Sequence, residues 1–130
     1  MQLTYETIAK RIDHSLLNPI LTPAEMEEGC RVALRYDVAS VCIKPFGVAL
    51  AAKILAGSTV EVGTTVGFPH GGHATSVKVF ETERAIEDGA TEIDMVINIG
   101  HPSSRSAAGF PVYIRAFART WWSTTTPSST

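Results

Sequence analysis

Glu92-Ile93-Asp94-Met95-Val96-Ile97-Asn98-Ile99-Gly100 sets acid and amide side chains between bulky apolar ones. Successive side chains of a strand point to opposite faces, so Glu92, Asp94, Val96 and Asn98 share one side and Ile93, Met95, Ile97 and Ile99 the other. The oily side calls for helices against it. The opposite side holds a carboxylate, Asp94, near the middle of a run flanked by β-branched residues, which is costly unless the group is paired or put to work. Asp94 is therefore the first catalytic candidate, with the solvated face of an antiparallel strand as the alternative.

Working outward, Tyr5 to Leu16 reads as a short amphipathic helix ended by the Asn18-Pro19 turn. Thr22-Pro23-Ala24-Glu25 puts an N-cap Thr, a Pro at the first helical position and a Glu at the third, a capping box that opens a helix to about Tyr36. Val38 to Lys44 reads as a buried strand with Val41 and Ile43 on one face and Ser40, Cys42 and Lys44 on the other, closed by Pro45. An Ala-rich helix follows from Phe46 to Ala56, then a β-branched strand from Val60 to Phe68 whose Gly63, Thr65 and Gly67 share a small face. Such a face suits close packing or ligand approach. After the His70-Gly71-Gly72-His73 loop, a helix from Ala74 to Asp88 stops at Gly89, and the run from Glu92 begins.

Strands that alternate with helices of this length imply parallel βαβ units, an α/β fold. A doubly wound sheet would be oily on both faces, whereas a (β/α)8 barrel turns one face of each strand toward other strands. The polar and small faces found here favour a partial (β/α)8 TIM barrel of about three parallel strands. Residues 1–100 form this part, and 101–130 a divergent Ser/Thr-rich tail, expected to be irregular. In a barrel the site gathers at the C-terminal ends of strands and in the βα loops, here Cys42, Lys44, 68–73 and 94–98.

The chain's 130 residues, 45% hydrophobic and 18% charged, suit one soluble domain. A net charge of -2 and a pI near 6.0 leave no basic footprint for nucleic acid or an anionic membrane, so a small molecule is the expected partner. The N-terminus lacks the hydrophobic core of a signal peptide and no run suits a membrane span, which gives a cytoplasmic expectation. Cys30 and Cys42 are not spaced as a CxxC pair and are expected to be free thiols.

Four phrases carry a resemblance: Ile12-Asp13-His14-Ser15-Leu16-Leu17-Asn18-Pro19, Ser40-Val41-Cys42-Ile43-Lys44-Pro45, Val66-Gly67-Phe68-Pro69-His70-Gly71, and the Glu92 to Gly100 run. In this order and spacing they resemble deoxyribose-phosphate aldolase over residues 5 to about 100. The resemblance implies a metal-free, cofactor-free barrel enzyme that reversibly cleaves 2-deoxy-D-ribose 5-phosphate to acetaldehyde and glyceraldehyde 3-phosphate through a lysine Schiff base. It implies that Asp94 serves in the proton relay such chemistry needs. It also matches Asp13 and Ser15 to a substrate-contacting segment, against the alternatives of helix capping and an exposed turn.

The lysines are Lys10, Lys44, Lys53 and Lys78. Three fall on expected helices, where an exposed charge is the ordinary explanation. Lys44 alone ends a strand. The family's Schiff-base lysine, its pKa-lowering companion and its phosphate-binding loops belong to later strands, so Lys44 is read as a substrate-side electrostatic or structural group. Cys42 faces the same interior, as a substrate-side thiol or an inert packing group. His70 and His73 are three apart but have no third ligand nearby, and are read as loop residues. Strand edges left open predict self-association. A non-catalytic remnant that binds a small sugar phosphate or pairs with another barrel chain is the alternative function.

Overall fold

The computed structural model describes residues 3–100. The element order is α1 (Tyr5–Ala9), β1 (Asp13–Leu16), α2 (Pro23–Tyr36), β2 (Ser40–Ile43), a 3-10 turn (Pro45–Gly47), α3 (Val48–Leu55), β3 (Glu61–Val66), α4 (Thr75–Glu87) and β4 (Glu92–Met95). Among the described residues four strands make one sheet in the order β1-β2-β3-β4. β1 with β2 and β2 with β3 pair in parallel. Beside β3, the Thr91 amide donates to the Val62 carbonyl and the Val96 amide to that of Val66, each at 2.8 Å, so β4 also runs parallel. The sequence-based expectation of three strands becomes four. The expected irregular tail, 101–130, lies outside the described residues.

The additional strand is β1, which the periodicity of Tyr5 to Leu16 assigned to helix. The helix stops at Ala9. Beyond it the Ile12 carbonyl accepts from the Ala39 and Ser40 amides at 3.0 and 3.4 Å, which commits the following residues to β2 rather than to a helical i to i−4 ladder. Asp13 and Ser15, whose short polar side chains compete with helical backbone bonds, lose little by the change. Tertiary pairing overrode a local pattern. By contrast α2 starts where the capping box placed it: Thr22 Oγ1 accepts from the Glu25 amide, and the Glu25 carboxylate accepts from the Thr22 amide at 2.7 Å.

The chain divides into two compact units. In the first, Met1–Thr65 with Ala85–Asp94, the hydrophobic core gathers Met26 and Cys30 of α2, Val41 and Ile43 of β2, Val48 and Ala51 of α3, and Val62 of β3, with Ile93 of β4 packed against it. Of these, Val41, Ile43 and Ile93 are side chains that period-two counting assigned to the apolar faces. Thr64, buried among them, donates its hydroxyl to the Ile43 carbonyl at 2.7 Å, so no orphaned polar group results. Where the chain enters β2 and β3, Lys10 Nζ donates to Asp37 at 2.6 Å, to the Val38 carbonyl at 3.1 Å and to Thr59 Oγ1 at 2.7 Å.

The second unit contains Val66–Arg84 and, among the described residues, 95–100. Here Lys78, expected as an exposed helical charge, is 0% exposed, and its Nζ donates to the Val96 carbonyl at 2.6 Å. That bond occupies the carbonyl just past Met95, where the regular alternation of the opening sequence would have carried β4 on to Gly100. The strand ends instead at Met95. Neither unit contains a helix long and apolar enough to cross a membrane among the described residues.

Candidate active site

Strand pairing builds the site row by row. Asp13 lies opposite Ser40 and Ser15 opposite Cys42, and Cys42 in turn lies opposite Gly63. Residues two apart share a face, so Asp13 and Ser15 of β1 stand with Ser40 and Cys42 of β2 on the side away from Val41 and Ile43. From β4, Asp94 joins them. Ser40 Oγ donates to Asp13 Oδ1 at 2.9 Å, and Cys42 Sγ donates to Asp94 Oδ2 at 3.8 Å. One ligand-type atom from each of Asp13, Cys42 and Asp94 falls within 4.8 Å of the others.

Asp94 is thus exposed on a parallel strand beside a buried thiol. Cys42 is 3% exposed, and burial followed by the charges of Asp13, Asp94 and Glu92 pushes its thiol from an ordinary 9.0 up to about 12. At neutral pH the sulfur therefore carries its proton and donates it to Asp94. The thiol is a fixed donor that orients a carboxylate, while the nucleophilic thiolate is suppressed.

A labelling experiment reads this out. Because the rise from 9.0 to about 12 cuts the thiolate about a thousandfold, iodoacetamide should modify Cys42 at pH 8 far more slowly in the native protein than in urea. Asp94→Asn removes a negative charge that favours the protonated form, so its labelling curve should shift to lower pH. Equal rates in native and unfolded protein, or an unmoved curve in the variant, would contradict the assignment.

Glu92 is the carboxylate that sequence reasoning left out of the site, although the alternation put it on the face of Asp94. The signal lay in Gly63: a Cβ built there would sit 3.5 Å from a Glu92 carboxylate oxygen and 3.7 Å from Glu92 Cβ. The small face noticed in β3 is close packing, filled at Gly63 by Glu92. In the second unit it is filled at Gly67 by the stem of Lys78, whose Cε would lie 2.9 Å from a Cβ on that glycine.

Lys44 is not gathered into this cluster. Its Nζ donates to the carbonyls of Pro19 at 3.3 Å and Leu21 at 2.9 Å and sits 5.3 Å from the centre of the Phe46 ring. The amine straps down the turn before α2. Lys10 is held by Asp37 and Thr59, and Lys53 is exposed on α3. Ser15 is exposed, in register beside Cys42.

Asp13, Cys42 and Asp94 are also the donor grouping able to surround an ion among the described residues, and His70 and His73 are outside it. Two exposed carboxylates around a protonated thiol suit proton and hydroxyl handling, and the donor set is not assigned to a metal. Cys30 and Cys42 are free, as expected. A separate apolar recess of about 290 Å³ lies among Tyr5, Ile8, Ile12, His14, Val32 and Tyr36 of the first unit, apart from these polar groups.

The model of the DeoC/LacD family aldolase matches residues 7–118, running past Gly100. A deoxyribose-phosphate aldolase of Rhodopirellula baltica is 52% identical over 95 residues, 73% of this chain and 39% of that protein. One of Clostridium perfringens is 54% identical over 95 residues, 73% of this chain and 42% of that protein. The chain spans about two fifths of the length of these curated relatives. Among solved structures, one from Coccidioides immitis described as a deoxyribose-phosphate aldolase has a TM-score of 0.83 at 34% identity, covering 91% of this chain and 47% of that one. The aldolase QR15 has a TM-score of 0.79 at 33% identity, covering 87% of this chain and 50% of that one. The parallel sheet with its helices is part of a (β/α)8 barrel, as the inner polar faces implied.

Proposed function

Because the chain belongs to the DeoC/LacD aldolase family, we propose that it serves the reversible cleavage of 2-deoxy-D-ribose 5-phosphate to acetaldehyde and glyceraldehyde 3-phosphate, and that it contributes the acid–base half of the site. The observation that carries this reading is the convergence of Asp13, Cys42 and Asp94 within 4.8 Å on the inner face of the sheet.

In the cleavage direction an enzyme amine adds to the C1 aldehyde and loses water to give an iminium. A base then takes the C3 hydroxyl proton, the C2–C3 bond breaks, its electron pair neutralises the iminium as an enamine, and glyceraldehyde 3-phosphate leaves. Protonation of the enamine carbon and hydrolysis release acetaldehyde. Asp94 suits the proton transfers, being exposed to substrate on one side and held from the other by the Cys42 thiol. Asp13, fixed by Ser40, and Ser15 suit the sugar hydroxyls. Lys44 supports the same end by tying down the 19–21 turn.

Lys10 and Lys44 are bonded to other groups, Lys53 lies exposed on a helix, and Lys78 is buried against Val96. The reacting amine in this reading is supplied by polypeptide beyond these four side chains, a complementing barrel half. β1 and β4 each pair on one side among the described residues, which supports association through strand edges. The acidic charge of -2 and the lack of a long apolar helix among the described residues are compatible with a water-soluble sugar-phosphate enzyme of the cytoplasm.

The test mixes this chain with the C-terminal portion of the Rhodopirellula baltica relative, adds acetaldehyde and borohydride, and locates the reduced adduct by mass spectrometry. The expected result is a labelled lysine on the added portion, together with cleavage of 2-deoxy-D-ribose 5-phosphate by the mixture. A label on Lys44 would keep the aldolase and overturn the source of the amine. A mixture that forms a complex yet gives neither adduct nor turnover overturns the reading.

A further inference from the structure

A lysine at 0% exposure is an expensive residue, since its ammonium loses its hydration and must recover it from the protein. Lys78 recovers part of it from the main chain, donating to the Val96 carbonyl at 2.6 Å. One helical turn further on, the Glu81 carboxylate accepts from the Gly67 amide at 2.8 Å. The helix therefore presents a cation to an outgoing carbonyl and an anion to an outgoing amide, and those two backbone segments are themselves joined by the Val96 amide on the Val66 carbonyl at 2.8 Å. Gly67, at φ 68°, has no side chain, and the Lys78 stem takes the space. The loop that follows folds back through the Gly71 amide on the Gly67 carbonyl at 2.8 Å.

We propose that Lys78, with Glu81, is a positioning residue that sets the conformation of the Gly67–Gly72 loop and of the 96–97 backbone for sugar-phosphate binding, a role that rests on the aldolase reading above. A βα loop at a strand's C-terminal end is where a barrel enzyme meets its substrate. Methionine would fill the volume of the Lys78 stem equally well. What it lacks is the donor, and the carbonyl it would abandon is that of Val96, just past the end of β4.

The experiment uses the full chain carrying Lys78→Met, Lys78→Arg or Glu81→Gln. Amide exchange is followed on the chain without ligand, and binding of 2-deoxy-D-ribose 5-phosphate by calorimetry after mixing with the C-terminal portion of the Rhodopirellula baltica relative. Lys78→Met should speed exchange at residues 67–72 and 96–97 by about tenfold or more, with α2 and β2 unchanged, and weaken binding by about tenfold. Lys78→Arg, which keeps a donor for the Val96 carbonyl, should regain most of both. Glu81→Gln should loosen Gly67 in the same way, and it decides the matter if Lys78→Met does not fold.

Unchanged loop exchange, or a uniform acceleration across the whole chain, would overturn the positioning role, as would loosened exchange with unaltered affinity. Should the wild-type chain complemented with that C-terminal portion fail to bind the sugar phosphate, the aldolase reading loses its support, while ligand-free exchange still decides whether the clasp exists.

Discussion

Asp94→Asn should lower turnover of 2-deoxy-D-ribose 5-phosphate by the complemented enzyme about 10²- to 10⁴-fold, the range over which a positioned proton-transfer group acts. The amide has the shape of the carboxylate but cannot take the C3 hydroxyl proton or return one to the enamine. Substrate affinity should change much less, because Asp13 and Ser15, assigned to the sugar hydroxyls, are untouched. Folding should be nearly unaffected, within about 1 kcal/mol, since Asp94 is exposed and its recorded side-chain bond is the long one from Cys42. Turnover, half-saturation and urea midpoint measured on the same preparation separate these effects. Turnover within about threefold of wild type would remove Asp94 from the relay.

Gly71→Ala should be the most damaging single-methyl change in the loops of the described residues. Gly71 sits at φ 65°, where a β-carbon costs roughly 1–2 kcal/mol by itself. That carbon would also fall 2.6 Å from the Ile97 carbonyl carbon and 2.8 Å from the Val96 carbonyl oxygen, main-chain atoms that cannot rotate aside. The combined cost is expected at about 3–5 kcal/mol, at the diagnostic end of single substitutions. Gly72→Ala is the internal control, because nothing lies within 4 Å of a β-carbon built there, and it should cost under about 0.5 kcal/mol. Urea unfolding of the pair makes the comparison. Equal midpoints would show that the loop is not packed against residues 96–97.

Much of this was legible in the residues. Thr22 and Glu25 announced α2 because an N-cap is satisfied by its own next turn, so no distant partner is needed to interpret it. Val41, Ile43 and Cys42 sorted to their faces because period-two alternation is a property of any strand. β1 escaped detection for the opposite reason. Its status depends on Ile12 giving its carbonyl to Ala39 and Ser40, residues far along the chain. The end of β4 was hidden likewise, because its partner β3 stops at Val66 while the side-chain pattern of the 92–100 run continued unbroken.

The site divides along the same line. Asp94, Asp13 and Cys42 could be named from strand faces and the motif resemblance. Glu92 could not, because its place beside Cys42 follows from the space at Gly63, which only register across β3 reveals. Lys78 was misjudged because helical lysines are usually solvated, and nothing in a one-dimensional pattern tells a helix flank from a helix base.

The Lys10, Asp37 and Thr59 knot ties the entrances of β2 and β3, while the groups assigned to chemistry occupy the strands themselves. Robustness and reactivity can then be tuned by separate sets of substitutions, in the manner of a tool whose handle is reshaped without touching its blade. Acid wears down the handle. The Asp37 carboxyl is held below its ordinary 3.8 by the hydrogen bonds of Lys10 and Thr59, so its contribution is complete above that pH and fades as the medium falls through the lowered value. An engineer seeking acid tolerance would start at this knot and leave the interior carboxylates alone.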